Sequence, residues 1–144
     1  FVAFDKEEEG LVGSAAFVKS IPKESRINYC WMVNVDSFGF SPPQVMDNTT
    51  TTKMLETAET TAKNAGFTLH HAVIAGADAD SSSFKAKGIP SITFHGLNPN
   101  WQRYLHTSND KFENINVPMV LDGYSFVLRY LAKTDTLGCS EFRK

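Results

Sequence analysis

The stretch that decides the fold is FDKEEEGLVGS, residues 4–14, near the start of the chain. It follows a short apolar run, residues 1–4, which we interpret as the end of a strand, and residues 13–20 beyond it favour a helix. Gly10 and Gly13 suit a sharp strand-to-helix turn. Adjacent carboxylates repel one another, which a chain tolerates on a solvated surface or beside a cation. The local sequence alone leaves both interpretations open.

Further along, segments typical of strands alternate with segments typical of helices. This alternation predicts an α/β domain with helices packed on a mostly parallel sheet. In the last helix, apolar residues at helical spacing are expected to face the core. The predicted strands are residues 27–35, 69–75 and 90–94; the predicted helices are residues 51–65, 84–87 and 117–133; and the apolar stripe of the last helix is Val120, Leu121, Tyr124, Val127, Leu128 and Leu131.

The composition narrows the class of protein. The chain has 144 residues, enough for one domain, and a formal net charge of −2. The sequence has no block of like charge, so we do not expect nucleic acid as a partner. The longest apolar runs are of strand length, so we expect no membrane span. Cys30 and Cys139 are too few for a disulfide scaffold, and the sequence leaves their pairing open. Asn48 opens a glycosylation sequon, which hints at an extracellular or secreted protein.

Candidate site residues follow several of the predicted strands. In open α/β sheets, functional residues gather in loops just past the carboxyl ends of strands. Asp36 follows one predicted strand, Asp78 and Asp80 follow another, and His106 lies beyond the third. Carboxylates and imidazoles together suit zinc. However, a carboxylate at a strand end is more often a cap, and a lone histidine in a loop is usually solvated.

Four sequence blocks resemble the M28 family of zinc peptidases. Residues 4–14 resemble its signature, a strand followed by F-x-x-E-E-x-G-L-x-G-S, and residues 34–36, NVD, resemble its N-x-D block. Residues 80–84, DSSSF, with residues 88–90, GIP, resemble its D-H-x-x-F block followed by G-I-P. His106 and Asp110 fall in a stretch that resembles its final H-T-x-x-D block. The blocks occur in the family's order across almost the whole chain.

The resemblance implies a role for each matching residue. Glu7 matches the general base that takes a proton from the attacking water, whereas Glu9 falls on a variable position. The matching zinc ligands are Glu8, Asp36 and His106.

Three further expectations concern the surroundings of these ligands. Asp80 matches an acid behind the metal ligands, and Asp110 matches an acid that orients the final histidine. Ser81 stands where the family block often has histidine, which is a departure from the pattern. We also expect a substrate pocket near the end of the third predicted strand, and its candidate residues are His95, Trp101 and Tyr104.

The resemblance also implies a fold and an incomplete site. The family has a three-layer, phosphorylase/hydrolase-like zinc exopeptidase fold with a mixed, mostly parallel sheet, and residues 1–144 correspond to a single partial domain at its C-terminal end. The N-terminal strands, a histidine ligand and a metal-bridging aspartate belong to blocks upstream of the Glu-Glu turn. We therefore expect one or two zinc ions in the complete protein, and a missing N-terminal segment or a second chain as partner.

The implied activity is that of an aminopeptidase, which hydrolyses N-terminal residues from a peptide substrate, with the fragment alone inactive. Two alternatives stay open. Glutaminyl cyclase shares the fold and uses one zinc ion with aspartate, glutamate and histidine ligands. Truncation of a two-zinc enzyme would leave the same ligand set, so these residues do not discriminate between the two. The third interpretation is a structural or binding remnant without metal.

Overall fold

The computed structural model describes residues 1–143 and contains one mixed sheet of four strands. The strand order is β1-β4-β2-β3. β1 is parallel to β4, β2 is parallel to β3, and β2 runs antiparallel to β4. The strands are β1 Met32–Asp36, β2 Gln44–Met46, β3 His70–Ala72 and β4 Ser91–His95, and the helices are α1 Val12–Ser20, α2 Thr52–Ala65, α3 Asp80–Lys85 and α4 Val117–Asp135.

Helices cover both faces of the sheet, which gives three layers. β4 is buried along all five residues, so successive side chains pack into opposite layers. Ile92 and Phe94 pack with α2 and α4, where the Phe94 and Tyr130 rings meet edge to face at 4.9 Å. Thr93 faces the other layer, where its hydroxyl lies 2.5 Å from that of Ser81 in α3. The predicted layered architecture is therefore confirmed.

The strand boundaries differ from the sequence-based expectation. Residues 1–4 form no strand. The strand predicted over residues 27–35 begins only at Met32, after a 3-10 turn at Lys23–Asn28. β2, Gln44–Met46, is missing from the prediction. The end of α2 is as predicted, since Gly66 has φ +70° and its N–H bonds to the Lys63 carbonyl.

Helix α4 is rotated relative to the predicted stripe, so Val127 and Leu131 of that stripe pack at the core but other members do not. Leu121, Tyr124 and Leu128 are exposed. The buried residues are Gly123, Phe126, Val127, Tyr130 and Thr134. The reason lies at Gly123, where a Cβ would come 2.8 Å from the Phe38 ring. The close approach of that ring fixes the rotation of the helix, and apolar periodicity alone did not reveal it.

One edge of the sheet is open within residues 1–143. β1 pairs only with β4, and Val35 on it is half exposed. Beside this edge lies a groove of about 690 Å³ with a mainly apolar lining that includes Phe1, Phe17 and Tyr29. This surface has the shape of one that another strand would cover.

The C-terminal end of the described chain is fastened to the segment that precedes β1. Cys30 and Cys139 form a disulfide with their Cα atoms 4.4 Å apart. The Arg143 guanidinium donates hydrogen bonds to the carbonyls of Arg26, Tyr29 and Gly88. Across residues 1–143, none of the helices combines the length and apolarity that a membrane crossing requires.

Candidate active site

The backbone conformation of the acidic turn before α1 depends on the glycines at its end. The N–H groups of Gly10 and Leu11 both bond to the Glu7 carbonyl, at 3.1 and 2.8 Å. A Cβ on Gly13 would clash with the Asp5 carbonyl oxygen, so a larger residue would force the turn open. The turn is thus held rigidly, and it points its glutamates in different directions.

The three glutamates of this turn have three environments. Glu9 forms an exposed ion pair with Lys6 at 3.2 Å. Glu8 Oε2 lies 3.4 Å from His106 Nε2, although the two residues come from opposite parts of the chain, and both side chains are more than half exposed. Glu7 is partly buried. The structure therefore brings together Glu8 and His106, two of the three residues that match zinc ligands.

Asp36 ends β1 in register with His95 at the end of β4. Its Oδ1 accepts a hydrogen bond of 2.9 Å from the Ser37 hydroxyl. The carboxylate is close enough to Glu7 to influence its proton affinity. Asp36 is therefore a near neighbour of the Glu7 turn but is held by its own strand end.

Backbone strain marks the same places. Among residues 1–143, the non-glycine residues with positive φ are Lys6 at 55°, Leu11 at 60°, Ser37 at 50° and His106 at 61°. The left-handed conformation costs a residue with a Cβ roughly 1–2 kcal/mol, and such residues cluster at functional sites. Here they flank the Glu7-Glu8 turn, follow Asp36 and include His106 itself. No pattern in the sequence signals this feature.

The electrostatics of Glu7 follow from this convergence. Burial raises the pKa of the Glu7 carboxyl, because the charged form loses solvation. The negative charges of Glu8, Asp36 and Asp80 raise its pKa further, and His106 opposes them. A carboxyl with a raised pKa is a better proton acceptor at neutral pH, as general-base chemistry requires.

The two acids at the start of α3 are used differently. Asp78 accepts hydrogen bonds from the Ala79 N–H and the Ser82 hydroxyl, so its carboxylate is already engaged just before α3. Asp80 is buried, and within residues 1–143 its Oδ1 has no hydrogen-bond partner. A bond of 2.9 Å between the Ser14 and Ser83 hydroxyls ties α3 to α1. Asp80 is therefore the acid beside the Glu7 turn whose buried carboxylate oxygen stays unpaired.

The remaining predicted residues are dispersed. Asp110 is exposed, and its N–H bonds to the Thr107 carbonyl in the turn after His106. His95 and Trp101 line one cavity of about 340 Å³. Tyr104 instead stacks on Phe40, with ring centroids 5.1 Å apart.

The donor set fits zinc in its chemistry and only partly in its arrangement. Glu8 and His106 offer a carboxylate and an imidazole, which are ordinary zinc ligands, and their separation suits two donors of a shared cation. Over residues 1–143, however, no group of three histidine, cysteine or acidic side chains converges closely enough to hold a metal ion.

Several solved structures that share this fold are aminopeptidases. A zinc aminopeptidase from Bacillus subtilis, BSAP, is 24% identical with a TM-score of 0.79 and covers 97% of this chain. The Legionella pneumophila LapA aminopeptidase is 20% identical, with a TM-score of 0.77 and 94% coverage. An aminopeptidase from Aneurinibacillus sp. strain AM-1 is 21% identical, with a TM-score of 0.70 and 90% coverage. At these identities the likeness establishes the fold.

This chain spans only part of those proteins, namely 37% of BSAP, 38% of LapA and 31% of the Aneurinibacillus enzyme. No curated protein sequence matches it. The sequence profile of Peptidase family M28, in contrast, matches residues 1–131, which include the acidic turn, Asp36, Asp80 and His106. The chain therefore belongs to peptidase family M28.

Proposed function

We propose that this chain is the C-terminal part of the catalytic domain of a zinc-dependent aminopeptidase. The observation that carries the proposal is the contact of 3.4 Å between Glu8 and His106, which lies beside a Glu7 carboxyl of raised pKa. Two metal-ligand types and a proton acceptor meet there, on loops that the fold holds in strained conformations. Membership of a peptidase family and the aminopeptidase structures that share the fold support the same activity.

In this proposal the neighbouring residues divide the chemistry. Glu8, Asp36 and His106 hold zinc, which supplies Lewis-acid polarisation of the scissile carbonyl when it is bound. Glu7 takes a proton from the attacking water and returns it to the leaving amine. The rigid turn lets these adjacent glutamates face different partners.

Two acids support the site in this proposal. Asp80 acts from behind the ligands, because its unpartnered oxygen lies beside the Glu7 turn. Asp110 steadies the loop that presents His106, where its N–H closes the following turn.

We further propose that residues 1–144 form one partial domain, completed by an upstream segment or a second chain. The open edge of β1 and the apolar groove beside it support this. The solved relatives are more than twice as long as this chain. The missing part would supply further ligands for a second zinc ion, and the chain alone would be inactive on peptides.

Extracellular or secreted localisation is part of the same proposal. The disulfide between Cys30 and Cys139 is a bond that persists in oxidising compartments. Asn48, which opens the glycosylation sequon, lies exposed on the surface.

The decisive experiment measures zinc in the complete protein by mass spectrometry after dialysis. Glu8→Ala is the test variant and Glu9→Ala is its matched control, since Glu9 is the adjacent glutamate and faces Lys6. We expect about one equivalent of zinc to be lost from Glu8→Ala and none from Glu9→Ala. The proposal would be contradicted, and a non-catalytic role favoured, if Glu8→Ala kept its full zinc content or if the complete protein bound no zinc.

A further inference from the structure

The acidic turn and the first turn of α1 are hydrogen-bonded into one body. The Leu11 N–H bonds to the Glu7 carbonyl at 2.8 Å, and the next two N–H groups along α1 bond to earlier carbonyls of the same turn at 3.1 Å. These are N–H groups that a helix does not satisfy within itself. Because the turn supplies their acceptors, Glu7 and Glu8 move with the start of α1. The placement of that helix therefore decides where their carboxylates lie.

A pair of buried hydroxyls joins the start of α1 to α3. Ser14, in the first turn of α1, is fully buried, and its Oγ lies 2.9 Å from the Oγ of Ser83 in α3. The Ser14 hydroxyl also donates to the Leu11 carbonyl at 3.2 Å. A hydroxyl has one proton to donate, so Ser83 is the donor between the two serines. Within residues 1–143, this pair is the side-chain hydrogen bond that connects the two helices.

Further along the two helices, the contact is made by apolar side chains. Val18 and Phe84 are buried in one cluster, and the ring centroids of Phe17 and Phe84 lie 6.0 Å apart. Apolar contacts are non-directional, so they hold two helices together without fixing how far one slides along the other. A hydrogen bond, in contrast, depends on both distance and angle. The serine pair is therefore the contact that can set the register of α1 on α3.

The same face of α3 carries Asp80. Asp80 and Ser83 are three residues apart in the helix, so they lie side by side on its surface. Because Ser83 bonds to Ser14, this face is turned towards α1. Asp80 is buried there, and its charge is close enough to influence the Glu7 carboxyl. The arrangement of acids around Glu7 thus depends on the register that the serine pair sets.

We propose that Ser14 and Ser83 are positioning residues, whose hydroxyl pair holds the acidic turn where Glu8 reaches His106 and a zinc ion shared with it. The zinc ion in this inference rests on the proposed function. Neither serine touches the ion or the substrate; both act through the backbone at the start of α1. Loss of the pair lets the turn shift while the apolar contacts keep the helices together. Groups that orient metal ligands from behind typically change metal affinity by about 10- to 100-fold.

The test measures the zinc dissociation constant of the complete protein by competition with a chromophoric chelator. Ser83→Ala is the test variant, because it removes the link to α3 and leaves the bond from Ser14 to Leu11 in place. We expect Ser83→Ala to bind zinc about tenfold more weakly than the unsubstituted protein. A loss of stability alone would not change this constant while the protein stays folded.

Three further variants show that the hydroxyl pair is responsible. Ser20→Ala is the matched control and should keep the unsubstituted affinity, since Ser20 also lies in α1 but its hydroxyl bonds to the Phe17 carbonyl at an exposed position. Ser83→Thr restores a hydroxyl and should recover most of the affinity. Ser14→Ala/Ser83→Ala should bind zinc no more weakly than Ser14→Ala, because both changes break the same link. Should Ser83→Ala fail to fold, Ser14→Ala carries the same test.

A measurement without zinc separates this inference from the proposed function. Backbone amide resonances are compared in the complete protein after zinc is removed. We expect the resonances of Glu7 and Glu8 to shift in Ser83→Ala and to stay in place in Ser20→Ala. If the complete protein bound no zinc, the proposed function would fail, and these shifts would decide whether the serine pair positions the turn. Unmoved Glu7 and Glu8 resonances, or equal zinc affinities of Ser83→Ala and Ser20→Ala, would overturn the inference.

Discussion

At the scale of single residues, identical side chains acquire different properties from their positions in one turn. Glu9 is an exposed partner of Lys6, Glu8 contacts His106, and Glu7 is partly buried among other acids. Their chemistry before folding is the same. The turn, held by Gly10 and Gly13, makes the difference.

We expect Glu7→Gln in the complete protein to lower kcat for aminoacyl substrates by about 10²- to 10⁴-fold, because the proton acceptor is lost. Zinc content should not change, since Glu7 is not a proposed ligand. Steady-state kinetics with a zinc assay on the same sample checks both. Glu9→Gln is the matched control, and activity of Glu7→Gln near the level of that control would remove Glu7 from the mechanism.

His95 makes stability depend on pH in a defined direction. Burial lowers its pKa from 6.5 to about 4, so the folded chain keeps the ring neutral where the unfolded chain takes up a proton. The free energy of unfolding should therefore fall as pH drops from 6.5 towards 4, by about 3 kcal/mol in all. Above pH 6.5 this contribution is fully present.

Urea denaturation at several pH values between 4 and 7 measures this dependence. Glu7 acts in the opposite direction. Because its pKa is raised in the folded chain, its contribution to the free energy of unfolding decreases as pH increases. Comparison with His95→Phe isolates the histidine term. Parallel pH profiles for the two proteins would show that His95 is not the source.

At the scale of elements, close contacts set orientations that periodicity does not encode. The rotation of α4 is fixed where Gly123 meets Phe38, and this exposes Leu121 and Tyr124, which the apolar pattern assigned to the core. The acidic turn shows the opposite case, since its glycine positions are explicit in the sequence and its shape follows from them. Elements with a glycine signature at a turn were therefore more predictable than helix faces.

We expect Gly123→Ala to destabilise the protein by about 1–3 kcal/mol, because the added Cβ would meet the Phe38 ring at 2.8 Å. Thermal or urea denaturation measures the change. Adding Phe38→Leu should recover part of the loss, as the shorter side chain makes room. A double variant no more stable than Gly123→Ala would place the strain elsewhere.

At the scale of the whole molecule, residues distant in sequence are fastened into one unit. The disulfide joins Cys30 to Cys139 over a separation of 109 residues, and Arg143 bonds to carbonyls in the segments that precede β1 and β4. The sequence left this pairing open, because spacing does not show which Cα atoms come within reach.

Removing the disulfide should lower the free energy of unfolding by about 2–4 kcal/mol, since the reduced unfolded chain gains conformational freedom. Urea denaturation with and without reductant measures this. A Cys30→Ser/Cys139→Ser protein is the control, because reductant should not affect it. An equal urea midpoint for the oxidised and reduced chains would contradict the expectation.

The layered α/β architecture and the family were predictable from sequence, because strand and helix periodicities alternate and four blocks match in order. The contact between Glu8 and His106 was predictable only through the resemblance. The left-handed backbone of Leu11, Ser37 and His106 was not, because none of these residue types announces that conformation. The separate position of Tyr104 depends on its stacking with Phe40, a tertiary contact with no local signal.

The open edge of β1 has a consequence for the chain in solution on its own. Its free backbone donors and acceptors, next to an apolar groove, form a template on which another copy can add a strand. Such a surface makes solubility depend on protein concentration, because a second copy competes for the edge with the segment that would otherwise cover it. Preparations of the isolated chain are therefore expected to self-associate, and a polypeptide that covers the edge would act on them as a solubilising agent.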